Sequence, residues 1–135
     1  QPAGAKSHAA LVPAGDGLVY ALLARPSFLV EHHGAKPAPT AIALIDPAQR
    51  RVLAVRDLPA GYGEFGEFGF KALRVDGRGR VFGATAKGLY RVKPGTCETE
   101  WLGEVSASID VVGPIVGRTL FFGSKWKLMA VDLPD

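Results

Sequence analysis

Turn-forming residues recur at short intervals along this chain and limit the length of every regular element. The 135 residues include 17 glycines and 10 prolines, which separate short apolar runs from one another. No long stretch carries an apolar stripe with the period of a helix, whereas the runs are rich in Val, Ile, Leu, Phe and Tyr. Asp-Gly and Pro-Gly pairs supply the turns. The pattern predicts an all-β chain of short strands.

Eleven runs meet these conditions and are predicted as strands. No helix is predicted between them, because the connections contain turn residues. The eleven runs are Ala9–Val12, Leu18–Ala24, Ala41–Ile45, Val52–Asp57, Phe70–Val75, Val81–Ala84, Gly88–Val92, Glu100–Gly103, Ile109–Val112, Thr119–Phe122 and Leu128–Val131.

Composition and charge exclude several classes of protein. With 47% hydrophobic and 21% charged residues, the chain has a globular rather than a disordered composition, and its length suits one domain. The net charge is +3, and no basic run exceeds two residues, so no nucleic-acid partner is expected. The single Cys97 excludes an intrachain disulfide framework. No apolar run approaches the roughly 18 residues of a membrane span, so none is expected.

The C-terminal half contains an internal repeat. Phe82 aligns with Phe122 at an offset of 40 in residue number, and Val92 aligns with Val131 at an offset of 39. A period of about 40 residues with four short strands is typical of a propeller blade.

The N-terminal part joins this repeat with an insertion. Tyr20 aligns with Phe82 at an offset of 62, but Ile45 aligns with Val92 at an offset of 47. The two offsets differ by 15, which places an insertion of that length at 25–39.

The predicted architecture is a partial β-propeller of about two and a half to three four-stranded antiparallel blades. Blade 1 covers about 9–58 with the insertion 25–39, blade 2 covers about 70–103, and an incomplete blade 3 covers about 109–133. We expect the chain to be the C-terminal portion of a larger propeller. The remaining blades would come from another chain or from a missing part of the same protein, because open sheet edges favour pairing. The alternative is one small closed barrel or sandwich of ten or eleven strands.

The segment Val75–Val92 carries an Asp, a Gly turn, an aromatic residue, Gly, Thr, and then Gly-Leu with a second aromatic residue. It resembles the blade repeat of two-component-regulator propellers, and it is similar to blades of the gluconolactonase and regucalcin type and of secreted propeller lyases that act on acidic sugars. The resemblance implies a propeller, a saccharide or other small-molecule ligand, and an extracellular or periplasmic location. Blade 1 departs from the pattern at Ala21, where the repeat has glycine.

Blade topology places the connections between the second and third strands, and those between successive blades, on one face. Propellers usually bind ligands on that face. The insertion carries Arg25, a candidate ligand-binding residue, and the pair His32 and His33. Such a pair can hold a metal ion or act as acid and base near neutral pH, although adjacent histidines in an exposed loop commonly do neither.

The connection between blades 1 and 2 repeats Glu-Phe-Gly. Its carboxylates, Glu64 and Glu67, are candidate metal ligands or acid–base groups, and its aromatic residues, Tyr62 and Phe65, are candidate ligand-binding groups. A divalent metal ion held by these carboxylates and the two histidines is the cofactor that the pattern suggests. The alternative is a glycine-rich connector whose aromatic rings fill the gap between two blades.

Further candidates lie where the other blades meet this face. Asp110, at the start of the third blade, is a candidate catalytic carboxylate, and Lys71 holds a similar place in the second blade. Lys125 and Trp126, in the last turn of this face, combine charge and an aromatic ring that can bind an acidic sugar or a phosphate.

Two functions follow from these candidates. The first is a ligand-binding or assembly module that other blades complete. The second is a propeller lyase, lactonase or hydrolase acting on sugars or sugar acids, in which His32, His33, Glu64, Glu67 and Asp110 supply metal ligands or acid–base groups. A purely structural set of blades in a sensor is a third interpretation. Convergence of three or more of these groups on one point would favour the enzyme.

Overall fold

The computed structural model describes residues 11–23, 40–62 and 73–135, which form eleven short β-strands and one turn of 3-10 helix, Ala60–Tyr62. Each predicted run overlaps one strand, so the all-β prediction is confirmed. The predicted insertion 25–39 and the beginnings of two predicted strands lie outside the described residues. The strands are β1 Leu11–Pro13, β2 Val19–Leu23, β3 Ala41–Asp46, β4 Arg51–Asp57, β5 Leu73–Val75, β6 Val81–Ala84, β7 Gly88–Val92, β8 Thr99–Glu104, β9 Val111–Val116, β10 Thr119–Ser124 and β11 Lys127–Asp132.

The strands form three antiparallel sheets rather than one barrel. Sheet 1 has the order β1-β2-β3-β4, sheet 2 has β5-β6-β7-β8, and sheet 3 has β9-β10-β11. Every strand pairs with its neighbour in sequence, as successive hairpins require. Within the described residues, this partial propeller contains two four-stranded blades and one three-stranded blade. The predicted alternative of a single closed barrel or sandwich is wrong.

The first strands of the sheets lie side by side. Arg74 on β5 donates from Nη2 to the carbonyl oxygen of Val112 (2.8 Å) and from Nε to that of Gly113 (3.1 Å), both on β9. The turns after β1 and β5 meet where the Gly15 N–H donates to the Gly79 carbonyl oxygen (3.3 Å). Successive sheets are therefore neighbours along their first strands, as in a propeller.

The buried apolar residues form one cluster, and the alternation of side chains along each strand divides it between the two gaps that separate neighbouring sheets. Sheet 1 contributes the buried Tyr20 and Leu44 to the first gap, and sheet 2 contributes Tyr90. Between sheets 2 and 3, Phe82 is buried on one side and Phe122 on the other. Full burial of each such side chain is worth about 1.5–3 kcal/mol, so packing between sheets is the main source of stability.

The pairing register corrects one detail of the predicted repeat. Gly83 pairs with Tyr90 in sheet 2, and Phe122 pairs with Met129 in sheet 3, so both positions of the pair repeat at an offset of 39. The residue that corresponds to Phe82 is Phe121, and the predicted match to Phe122 at an offset of 40 is wrong. The reason is steric. The Tyr90 ring covers Gly83, so no side chain fits there, whereas the buried Phe122 pairs with Met129 at the matching position of sheet 3.

The predicted insertion 25–39 lies outside the described residues and stays a prediction, and the register of the strands on either side is compatible with it. Tyr20 pairs with Leu44 as Phe82 pairs with Arg91, which gives an offset of 62 on the second strands and of 47 on the third strands. The connection between β2 and β3 is also longer in sequence than the one between β6 and β7.

The turn between β5 and β6 is organised by a buried carboxylate. Asp76 Oδ1 accepts the N–H groups of Arg78 and Arg80 (both 2.9 Å), and Oδ2 accepts from Arg80 Nε at 2.7 Å. Burial opposes the charged form of Asp76, but the backbone N–H and the guanidinium of Arg80 outweigh it and lower the pKa of this carboxyl below its usual value.

We predict that Gly83→Ala destabilises the chain by about 1–3 kcal/mol, because the added methyl group would overlap the Tyr90 ring. Urea unfolding followed by circular dichroism measures the change. Gly77→Ala is the matched control, since nothing lies within 4 Å of a Cβ at that position. Equal stability of the two variants would contradict the close packing of Tyr90 on β6.

We predict that Asp76→Asn lowers stability most at neutral pH. Because the native-state pKa of Asp76 is lowered, its contribution is complete above the unfolded-state value of about 3.9 and is lost as pH falls through the native-state pKa. The difference in unfolding free energy between native chain and variant should therefore shrink below about pH 4. Urea unfolding from pH 3 to pH 7 measures it, and a difference that grows on acidification would contradict the assignment.

Candidate functional site

The described parts of the connections between sheets, and the connections between the second and third strands of sheets 2 and 3, lie beside one another on one face. We call residues 60–62, 85–87, 105–110 and 125–126 the loop face. Thr85 Oγ1 donates to the Tyr62 carbonyl oxygen (2.6 Å), and the Ile109 N–H donates to that of Ala86 (3.1 Å). The Lys125 N–H donates to Asp110 Oδ2 (2.8 Å). These bonds tie each connection to the one beside it.

Tyr62 occupies the junction of sheets 1 and 2. Its ring stacks on Tyr90 and Trp101, with centroids 5.4 Å and 4.7 Å away, and its hydroxyl shares a hydrogen bond with Thr99 Oγ1 (2.8 Å). The residue is buried. In this arrangement, both the ring and the hydroxyl of this predicted ligand-binding residue are engaged in packing between blades.

A buried hydroxyl on the loop face was not singled out from the sequence. Thr85 accepts the N–H groups of Lys87 (3.1 Å) and Gly88 (3.2 Å) while donating to the Tyr62 carbonyl oxygen. The matching position in sheet 3, at the offset of 39, is the buried Ser124. The sequence does contain a signal for this residue, because a hydroxyl side chain recurs 39 residues later in the second repeat. Such a recurrence indicates a residue that the fold of the blade requires.

Asp110 shapes the last turn of the loop face. Its carboxylate is exposed, accepts the Lys125 N–H, and accepts from Ser108 Oγ at 3.3 Å. Ser108 Oγ also lies 3.4 Å from Ser124 Oγ. This carboxylate, predicted as catalytic, thus holds the connection between sheets 2 and 3 against the hairpin between β10 and β11.

The hairpin tip displays a tryptophan in an unfavourable backbone conformation. Lys125 and Trp126 both have positive φ, 49° and 66°, in a two-residue turn that favours Asn-Gly. Trp126 is fully exposed, and Lys127 beside it is exposed as well. An exposed indole with a lysine on each side in the sequence can stack on a sugar ring and attract a carboxylate or phosphate.

The remaining predicted site residues lie outside the described residues, so their arrangement stays a prediction. Within residues 11–23, 40–62 and 73–135, no group of three or more His, Cys, Asp or Glu side chains could hold a metal ion. The predicted residues outside these ranges are Arg25, His32, His33, Glu64, Phe65, Glu67 and Lys71.

Comparison with protein-family models, with curated proteins and with solved structures gives no match for this chain. The described part of the chain also contains no helix with the length and hydropathy needed to cross a membrane.

We predict that replacing the tip by the favoured turn, as Lys125→Asn with Trp126→Gly, stabilises the chain by about 1 kcal/mol because it removes two positive-φ side chains. Thermal unfolding measures the change. Lys127→Asn is the control, because Lys127 lies in β11 beyond the turn. A tip variant less stable than the native chain would contradict the strained geometry and would point to packing by the Trp126 ring.

Proposed function

We propose that this chain is an assembly module of a β-propeller, whose outward faces dock further blades and whose loop face presents a ligand-binding tip at Lys125 and Trp126. The observation that carries this proposal is the position of exposed apolar side chains in the described residues. Most of the large ones lie on the two outward faces of the stack of sheets, and they do not lie scattered over the surface.

Sheet 3 has one buried and one open apolar face. Leu120 and Phe122 are buried toward sheet 2. On the opposite face, Val111, Val116 and Leu128 are exposed by 46%, 62% and 78%. Because neighbouring residues of a strand point to opposite faces, this side of the sheet offers an apolar surface with no described partner.

Sheet 1 also buries the face that points toward sheet 2, and its other face points away from the stack. Tyr20 and Leu44 face sheet 2 and are buried. Leu11 and Val55 lie on the opposite face of the sheet by their pairing register, and they are exposed by 62% and 47%. Ala21 and Ala43, which lie between them in the same row, are buried, so only the rim of this face is exposed. The open apolar face of sheet 3 is therefore the main docking surface for a further blade.

Comparison of sheet 3 with sheet 2 through the repeat indicates which partner could cover the open face. Phe121 and Leu128 of the open face of sheet 3 correspond, at the offset of 39, to Phe82 and Leu89 of sheet 2. In sheet 2 those two side chains are buried in the layer shared with sheet 3. A further four-stranded blade is therefore the partner that the face resembles most, and each buried Å² contributes about 25 cal/mol.

The Lys125 and Trp126 tip supports the ligand-binding part of the proposal. Its exposure and charge suit an acidic saccharide, which agrees with the resemblance of Val75–Val92 to propellers that act on sugar acids. The enzyme interpretation depends on residues outside the described ranges, and Asp110 alone among its groups is described.

We predict that the 135-residue chain self-associates and that Val116→Lys with Leu128→Lys shifts it to a 14.3 kDa monomer, because two charges on the open face oppose burial. Sedimentation velocity measures the mass. Ser106→Lys is the matched control, since it adds a charge at an exposed position of the loop face. A monodisperse, cooperatively unfolding monomer of the native chain would overturn the assembly proposal.

A further inference from the structure

The outer strand of sheet 3 differs from its counterparts. In sheets 1 and 2 the third strands, β3 and β7, are each covered by a fourth strand, β4 and β8. Among the described residues, β11 pairs with β10 alone. Its outer row of N–H and C=O groups is a template for another strand.

A cleft lies between sheets 2 and 3, next to this row. It has a volume of about 320 Å³, and Leu89 and Leu102 of sheet 2 face Val131 and Leu133 across it. Glu104 and Arg118 are also part of its lining. A cleft beside an unpaired strand can receive the inward-pointing alternate side chains of an extended segment.

The matching blade, sheet 2, shows which side chain a fourth strand carries toward the preceding sheet. On β8, Trp101 lies opposite Tyr90 and stacks on Tyr62 of the preceding connection. The position of Tyr90 corresponds to Met129 in the repeat. A fourth strand on β11 would therefore carry its inward aromatic residue opposite Met129, which is half-buried in the layer facing sheet 2.

The charged residues along β11 indicate that the added strand also carries an acidic residue. In sheet 2, Gly88 lies opposite Glu104, and Lys87 forms an ion pair with that carboxylate at 3.2 Å. The position of Gly88 corresponds to Lys127, an exposed cation on the edge of sheet 3. An acidic residue opposite Lys127 would pair with it directly across the strands.

We infer that β11 binds an extended segment as an antiparallel fourth strand, with a large aromatic side chain opposite Met129 and an acidic residue opposite Lys127. This inference rests on the proposed function, because the segment belongs to the material that completes the third blade. The edge and the cleft are nevertheless separate from the open face of sheet 3, so the two surfaces can be tested separately.

The probe is a fluorescein-labelled peptide with the sequence of residues 98–105, which contains β8 and so provides Trp and Glu at the required spacing. Fluorescence anisotropy with the 135-residue chain should show saturable binding. Replacing the tryptophan of the peptide by glycine should weaken binding at least roughly tenfold, as loss of a buried aromatic anchor does. A scrambled peptide is the control.

Hydrogen exchange identifies the surface that binds. The peptide should protect Lys127–Asp132 and leave exchange in Gly88–Val92 unchanged. Protection of Gly88–Val92 instead, absence of saturable binding, or equal affinity for the glycine variant would each overturn the inference. The chain with Val116→Lys keeps the β11 edge intact, so its binding of the peptide should match that of the native chain. Weaker self-association of this single variant, without loss of peptide binding, would then separate the two proposals.

Discussion

Packing between sheets is the constraint on which the rest of this structure depends. A twisted sheet of three or four short strands has two faces, and a single neighbour can bury only one of them. Sheet 2 shows the satisfied arrangement, since Tyr90 is buried toward sheet 1 and Phe82 toward sheet 3. Sheets 1 and 3 have one described neighbour each, and their exposed valines and leucines follow from that position.

The need to pack neighbouring sheets also explains why the two repeats share a pairing register but carry different residues at matching positions. Gly83 and Tyr90 pair in sheet 2, while Phe122 and Met129 pair at the same positions in sheet 3. In the first pair the ring comes from the third strand, and in the second it comes from the second strand. Either arrangement places one aromatic ring in the layer between sheets, because the layer needs a filled volume rather than a particular residue.

The loop face is built on hydrogen bonds that join neighbouring connections. Thr85 connects the turn of sheet 2 to Tyr62, and Asp110 connects the start of sheet 3 to Lys125. Asp110, which the sequence predicts as a catalytic carboxylate, holds two connections together by a hydrogen bond. The exposed Trp126 is then presented by a turn whose geometry those bonds maintain.

By itself, the sequence determined the strands and the turns. Spaced apolar runs and Asp-Gly or Pro-Gly turns are local signals, and each predicted run overlaps a strand. The offset of Phe82 was misjudged by one residue, since an aromatic match does not reveal which face a side chain occupies, and a shift of one residue reverses the face. Only the tertiary structure decided that Tyr62 is buried, that Asp110 holds a hairpin turn, and that the edge of β11 borders an apolar cleft. These facts depend on contacts between residues far apart in sequence, which local patterns of polarity do not encode.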